Sequence, residues 1–240
     1  MDFILVCMDI LLSFFLGVLP IIIWLSFWLK EDAKNPEPKR FIFLTFLAGM
    51  FSALTAQVFG KEILEYTNIS INADISLLAI GILATSEEVI KYIFAYFSAL
   101  SRSFNDEPVD AIIYMITVAL GFSAMENTMY LFDILDSKTL FEGIIISNMR
   151  FIGATVLHTA SSAMIGITLA FAYQKTKIIK MFCLILGLIL AIALHTSFNF
   201  LIINDSGGNI FKVFLFIWLI IMLILLFFEK IKSFRLSVNK

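Results

Sequence analysis

The sequence predicts an all-α polytopic membrane protein of about seven transmembrane helices, on three observations. Hydrophobic residues make up 60% of the 240-residue chain, and the mean hydropathy is +0.97. Charged residues make up only 15%, against about 25% in soluble domains. Several apolar windows exceed the ~20 residues that cross a bilayer as a helix. A net charge of −2 points to no charged partner, and no basic stripe suggests nucleic-acid binding. Cys7 and Cys183 lie in separate apolar runs, which gives neither a disulfide framework nor a cysteine metal cluster.

The first span is read at 3–29. Asp2 and Asp9 are the only charges before Lys30. The basic start of a cleaved signal is missing, so this span is expected to be retained. The next spans are read at 41–60, 75–100, 109–132, 144–173, 178–203 and 209–229. They are separated by "KEDAKNPEPKR", "KEILEYTNISINA", "SRSFNDEP", "DILDSKTLFEG", "YQKTK" and "NDSGGN". These connections carry the Pro, Gly, Asn and Asp that interrupt helices. No internal repeat, low-complexity tract or soluble domain interrupts residues 1–240, which read as a single membrane-embedded domain.

Lys and Arg set the expected orientation. Lys30, Lys34, Lys39, Arg40, Arg102, Lys175, Lys177, Lys180, Lys230, Lys232, Arg235 and Lys240 fall on one set of connections, twelve in all. The alternate set holds three, Lys61, Lys138 and Lys212. Seven spans with the N-terminus outside and the C-terminus cytoplasmic fit that bias.

Against this apolar background a few polar residues stand inside spans. A charge near the bilayer centre costs at least ~2.5 kcal/mol unless it meets a polar interior and a partner. Span three carries Glu87, Glu88 and Lys91 in "SEEVIK". Glu87 precedes Lys91 by four residues, and Glu88 precedes it by three, so either carboxylate can pair with it. Span four carries Phe122, Glu126 and Asn127. Span five carries His158, and span six carries His195 with Asn199 one turn on. The two histidines are the only ones in the chain. At ~1.5 Å per residue, counted from the presumed outer ends, Glu87 lies ~18 Å deep, Glu126 ~9 Å, His158 ~21 Å and His195 ~12 Å. Four helices thus bring polar groups to overlapping depths, as the lining of one cavity would require.

Each residue also has a plainer reading. A Glu–Lys pair can be a structural tie, and span histidines and asparagines can be interhelical glue. Phe122 is one of 26 phenylalanines. Arg150, at the start of span five, is expected to extend to the interface. Asp133, Asp136 and Asp205 read as solvated span ends. As chemistry, the set allows amide hydrolysis by a glutamate acting on water, with a histidine and Asn199 receiving the oxyanion. It equally allows glutamates and histidines to hold a divalent metal. Ser161 and Ser162 follow His158 on its own helix, a spacing that gives glue as readily as a dyad.

The order of "EEVIK" (EExxK), "FSAMEN" (FxxxEN), a single His158 and "HTSFN" (HxxxN) on successive helices resembles the PrsW family of bacterial membrane proteases. These are relatives of the CAAX prenyl endopeptidases and bacteriocin-processing enzymes. The likeness covers spans three to six, roughly residues 85–200. In the CAAX branch the second motif ends in histidine, and Glu126 in its place points away from prenylated substrates.

The resemblance implies a glutamate-type endopeptidase embedded in the bacterial cytoplasmic membrane. It implies a membrane-anchored protein substrate and first-site cleavage of an anti-sigma factor. By carry-over, Glu87 or Glu88 activates water, and Glu126 positions it or shares the proton. His195 and Asn199 form the oxyanion pocket, and His158 orients or protonates. Lys91, Phe122 and Asn127 support them. No metal or other cofactor is expected, with a zinc-dependent intramembrane metalloprotease as the alternative. An ion- or proton-coupled transporter is a rival reading, disfavoured by the lack of a repeat. A non-enzymatic membrane scaffold is another, and it predicts that the polar residues tolerate isosteres.

Overall fold

The computed structural model describes residues 3–31, 35–69, 76–135, 139–204 and 210–238. The expected ends at Asp136, Lys138 and Asp205 lie outside the described residues. The elements in chain order are α1 (Phe3–Glu31), α2 (Lys39–Tyr66), α3 (Leu77–Ala95), α4 (Pro108–Leu135), α5 (Leu140–Arg150), α6 (Val156–Phe171), α7 (Lys177–Asn204) and α8 (Ile210–Val238). A π-helical segment, Tyr96–Leu100, prolongs α3, and a second, Phe151–Thr155, joins α5 to α6. Among the described residues these make seven helical rods and no strand.

Six of these rods are long and apolar enough to cross a membrane. The rod built on α3 falls outside that group because it carries Glu87, Glu88 and Lys91. Taken together the rods make an all-α polytopic membrane protein. The connection expected from residue 61 begins later, because α2 runs on to Tyr66. Lys61, Glu62 and Glu65 are helix formers, and Leu64 among them is buried. The chain leaves α2 through Asn68 at φ 54, a left-handed stop that Asn tolerates.

α4 is the hub. It packs against α1, α2 and α6, and residues 109–124 are buried without interruption. A helix apolar on every side has no face to give to lipid, so it sits inside the bundle. α2 approaches it at Gly49 and Gly121. A Cβ on Gly49 would collide with the Val118 carbonyl, and one on Gly121 with the Phe46 carbonyl. α3 begins at Ser76, whose side chain accepts the Ala79 N–H at 3.1 Å. α5 begins with a capping box between Thr139 and Glu142.

One end of the bundle gathers the connections rich in lysine and arginine. Lys232 bonds Glu31 at 2.8 Å, and Asn35 donates to Glu107 at 2.9 Å. Tyr114 donates to Glu37, and Asp110 accepts the N–H groups of Asp106 and Glu107, closing the start of α4. A 640 Å³ cavity at this end is lined from Tyr96, Asn105, Tyr173 and Lys180. The helices therefore alternate in direction, and the helix ends Tyr66, Leu135 and Asn204 fall at the far end.

Candidate active site

The site is built by α3, α4, α6 and α7, in the half of the bundle away from the basic connections. Glu87 lies ten residues from the start of α3, while Glu126 and His195 lie nine from the ends of α4 and α7. At 1.5 Å per residue these are depths of ~14–15 Å. Helical periodicity makes two uses of "EEVIK". Glu88 and Lys91 face α6 and α7 and are wholly buried. Glu87 points about 100° away and keeps 21% of its side chain exposed.

Glu88 is fully committed. Its Oε1 receives Lys91 Nζ at 2.6 Å, His195 Nδ1 at 2.7 Å and Ser161 Oγ at 3.0 Å, and its Oε2 receives Ser162 Oγ at 3.4 Å. Lys91 therefore holds Glu88 rather than Glu87. Its Nζ also reaches His158 Nδ1 at 3.1 Å and lies 4.7 Å from the Phe122 ring centre. Phe122 is buried and packs at 5.0 Å against the His158 ring, so it contributes more than filling. Ser161 and Ser162 are donors to Glu88, not partners of a nucleophilic dyad.

Both histidines carry a carboxylate on one nitrogen. His195 Nδ1 faces Glu88, and His158 Nε2 faces Glu126 Oε2 at 3.1 Å. A carboxylate only accepts, so those nitrogens carry the protons and the opposite nitrogens present lone pairs. Both of these nitrogens lie near Glu87, His158 Nδ1 while also accepting from Lys91. His195 Nε2 lies 3.6 Å from Glu87 Oε2, and His158 Nδ1 lies 4.0 Å from it. Glu87 Oε2 is buried and accepts no hydrogen bond. The ligand atoms of Glu87, His158 and His195 all fall within 4.8 Å of one another.

Three acceptors facing one another repel unless a cation or a shared proton stands between them. One carboxylate and two imidazoles, each imidazole backed by a second carboxylate, is a donor set that zinc and similar ions accept. Lys91 competes for one of those lone pairs, the one on His158 Nδ1. A cation held by all three donors would displace that hydrogen bond.

Arg150 does not extend to the interface. It turns inward, with Nη2 on Glu126 Oε2 at 2.9 Å and Nε on Asn127 Oδ1 at 2.7 Å. Its guanidinium sits 4.2 Å from the Tyr130 ring centre. A chain of groups on α4 satisfies it more fully than the interface would. Asn127 in turn donates to Thr155 Oγ1 at 3.2 Å. Arg150, Thr155 and Tyr130 were not legible as site residues; the signal was a lone Arg eight residues before His158. Asn199 follows His195 by one turn, is half-buried, and makes no hydrogen bond to a described residue.

A family profile described as "PrsW family intramembrane metalloprotease" matches residues 37–227. The chain is similar to the Protease PrsW of Geobacillus kaustophilus, 28% identical over 163 residues, which covers 67% of this chain and 65% of that protein. It is similar to that of Bacillus subtilis, 25% identical over 209 residues, covering 84% and 88%. The Protease PrsW of Clostridioides difficile is 23% identical over 210 residues, covering 85% and 84%. Comparison with solved structures finds no match.

Proposed function

The chain belongs to the PrsW family of membrane proteases, and on that premise we propose that its Glu87–His158–His195 centre hydrolyses a peptide bond of a membrane-anchored protein. The observation that carries this is the Glu87 carboxylate: buried at Oε2, without a hydrogen-bond donor, and faced by His195 Nε2 and His158 Nδ1. Glu88 cannot share the role, since four donors already hold it.

Glu87, His158 and His195 would hold a divalent cation, which when bound lowers the pKa of its water toward neutrality and polarises the scissile carbonyl. The protein's own groups do the rest. Glu88 fixes His195, and Glu126 fixes His158. Glu87, the more accessible of the adjacent pair, keeps its less buried oxygen to accept the proton of water as the water oxygen attacks the carbonyl carbon. That proton then passes to the leaving amide nitrogen as the C–N bond breaks, giving an acid and an amine. Asn199, with unengaged amide donors, supplies a hydrogen bond to the oxyanion.

A second reading has Glu87 act on water without a metal. The hydrogen bond between Lys91 and His158 Nδ1 favours it. Cleavage of a single-span reporter by the purified protein separates the two. With a metal, chelator abolishes cleavage, and a divalent ion added back restores it. Activity indifferent to chelator leaves the glutamate reading. A reporter that the wild-type protein never cuts rejects both.

The substrate class that the resemblance supports is a membrane-bound anti-sigma factor, cut beside its span. The matched relatives are bacterial, which supports the cytoplasmic membrane as the location. The lysine and arginine bias supports a site reached from the outer side.

A further inference from the structure

Arg150 is the last residue of α5, where the sequence leads one to expect a side chain reaching for the membrane surface. It stands instead against α4, in one ion pair, one hydrogen bond and a ring contact. Its Nη2 shares Glu126 Oε2 with His158 Nε2, at 2.9 and 3.1 Å. Its Nε holds Asn127 Oδ1, and Tyr130, on the same face of α4, covers the guanidinium. Glu126 is the most exposed carboxylate of the site, 33% open. Without an anchor it gains water by rotating outward.

We propose that Arg150 is a positioning residue of the centre: it holds Glu126 Oε2 against His158 Nε2, and so fixes the ring with its Nδ1 beside Lys91 and Glu87. The proposal rests on the function proposed above. The logic is that of an outer acceptor fixing a histidine tautomer. If Glu126 leaves, nothing on the described residues accepts the Nε2 proton. The Lys91 ammonium at Nδ1 then alone keeps the proton on Nε2, and that N–H is left without an acceptor to fix the ring. The fork geometry of guanidinium matters here, because one side chain must hold both Glu126 and Asn127. Lysine offers the charge but not the two fixed directions.

Two histidines in the whole chain make the test simple. Protein labelled with ¹⁵N at histidine gives two rings, assigned by the loss of one in His195→Gln. In the wild type, His158 is expected as the Nε2–H tautomer and His195 as Nδ1–H. In Arg150→Gln the His158 Nε2–H signals shift and broaden as that N–H loses its acceptor, and those of His195 stay. On the single-span reporter, Arg150→Gln lowers kcat by about 10- to 100-fold, as loss of an outer-shell partner does, with KM unchanged. Arg150→Lys recovers part of kcat and part of the wild-type His158 spectrum.

A His158 that is Nδ1–H in the wild type overturns the proposal even if Arg150→Gln fails to fold. So does an Arg150→Gln protein with unchanged His158 signals, whatever its melting temperature. If Glu87→Gln still cleaves, the functional reading fails, and the spectra still decide the part played by Arg150.

Discussion

Glu87 and Glu88 are adjacent in sequence and meet opposite surroundings. Glu88 is wholly buried and neutralises Lys91, while Glu87 faces lone pairs. Substitution should separate them. Glu88→Gln leaves Lys91 as a buried charge without its counter-ion, which costs roughly 3–5 kcal/mol. We expect a large fall in thermal stability in detergent, accompanied by loss of activity. Glu87→Gln removes a carboxylate that accepts no hydrogen bond at its buried oxygen, and its melting should stay near wild type or rise. A scan of both variants checks this, and equal destabilisation would show that Glu87 is also structural. The sequence already singled out this pair, with Lys91 able to reach either. The choice between them was not legible, because both the three- and four-residue spacings suit a helical ion pair. It is decided by which α3 face meets His195, Ser161 and Ser162.

At the scale of elements, the site depends on how closely α2 and α4 approach. Glu126 and Phe122 sit within two turns of Gly121 on the same helix. Gly121→Ala places a methyl group on the Phe46 carbonyl, an overpacking that costs about 1–3 kcal/mol. Gly81→Ala is the control, since its Cβ meets only Thr196 at 3.8 Å and α3 gains from losing a helical glycine. Gly121→Ala should melt earlier and Gly81→Ala no earlier than wild type. Reversal of that order would contradict the close α2–α4 contact. Helix positions were readable from hydropathy to within a few residues, apart from the ends of α2 and α8, which run on to Tyr66 and Val238. The central place of α4 was not, because a helix apolar on every side gives no direction. Arg150 was misread for a related reason. It was read from its place at the start of span five, whereas its partners Glu126, Asn127 and Tyr130 stand on another helix.

Across the whole molecule, the basic connections gather at one end of the bundle, and the candidate site opens nearer the other. The charge bias assigns the basic end to the cytoplasm. In a variant with Cys7 and Cys183 replaced by Ser, Lys61→Cys should react with a membrane-impermeant maleimide on intact cells. Arg102→Cys should react only after the membrane is opened. The opposite pattern would invert the orientation and put the site on the inner side. The motifs on four helices were visible in sequence, and their depths overlapped. Their convergence on one carboxylate was not, since it depends on which helices are neighbours.

The most direct measurement is the rate of reporter cleavage by purified wild-type and Glu87→Gln protein, at equal folded concentration. A carboxylate that takes the proton of water contributes about 10²- to 10⁴-fold. The Glu87→Gln rate should fall by at least the lower figure, with the reporter still bound. A variant that cleaves at the wild-type rate would contradict the central role of Glu87.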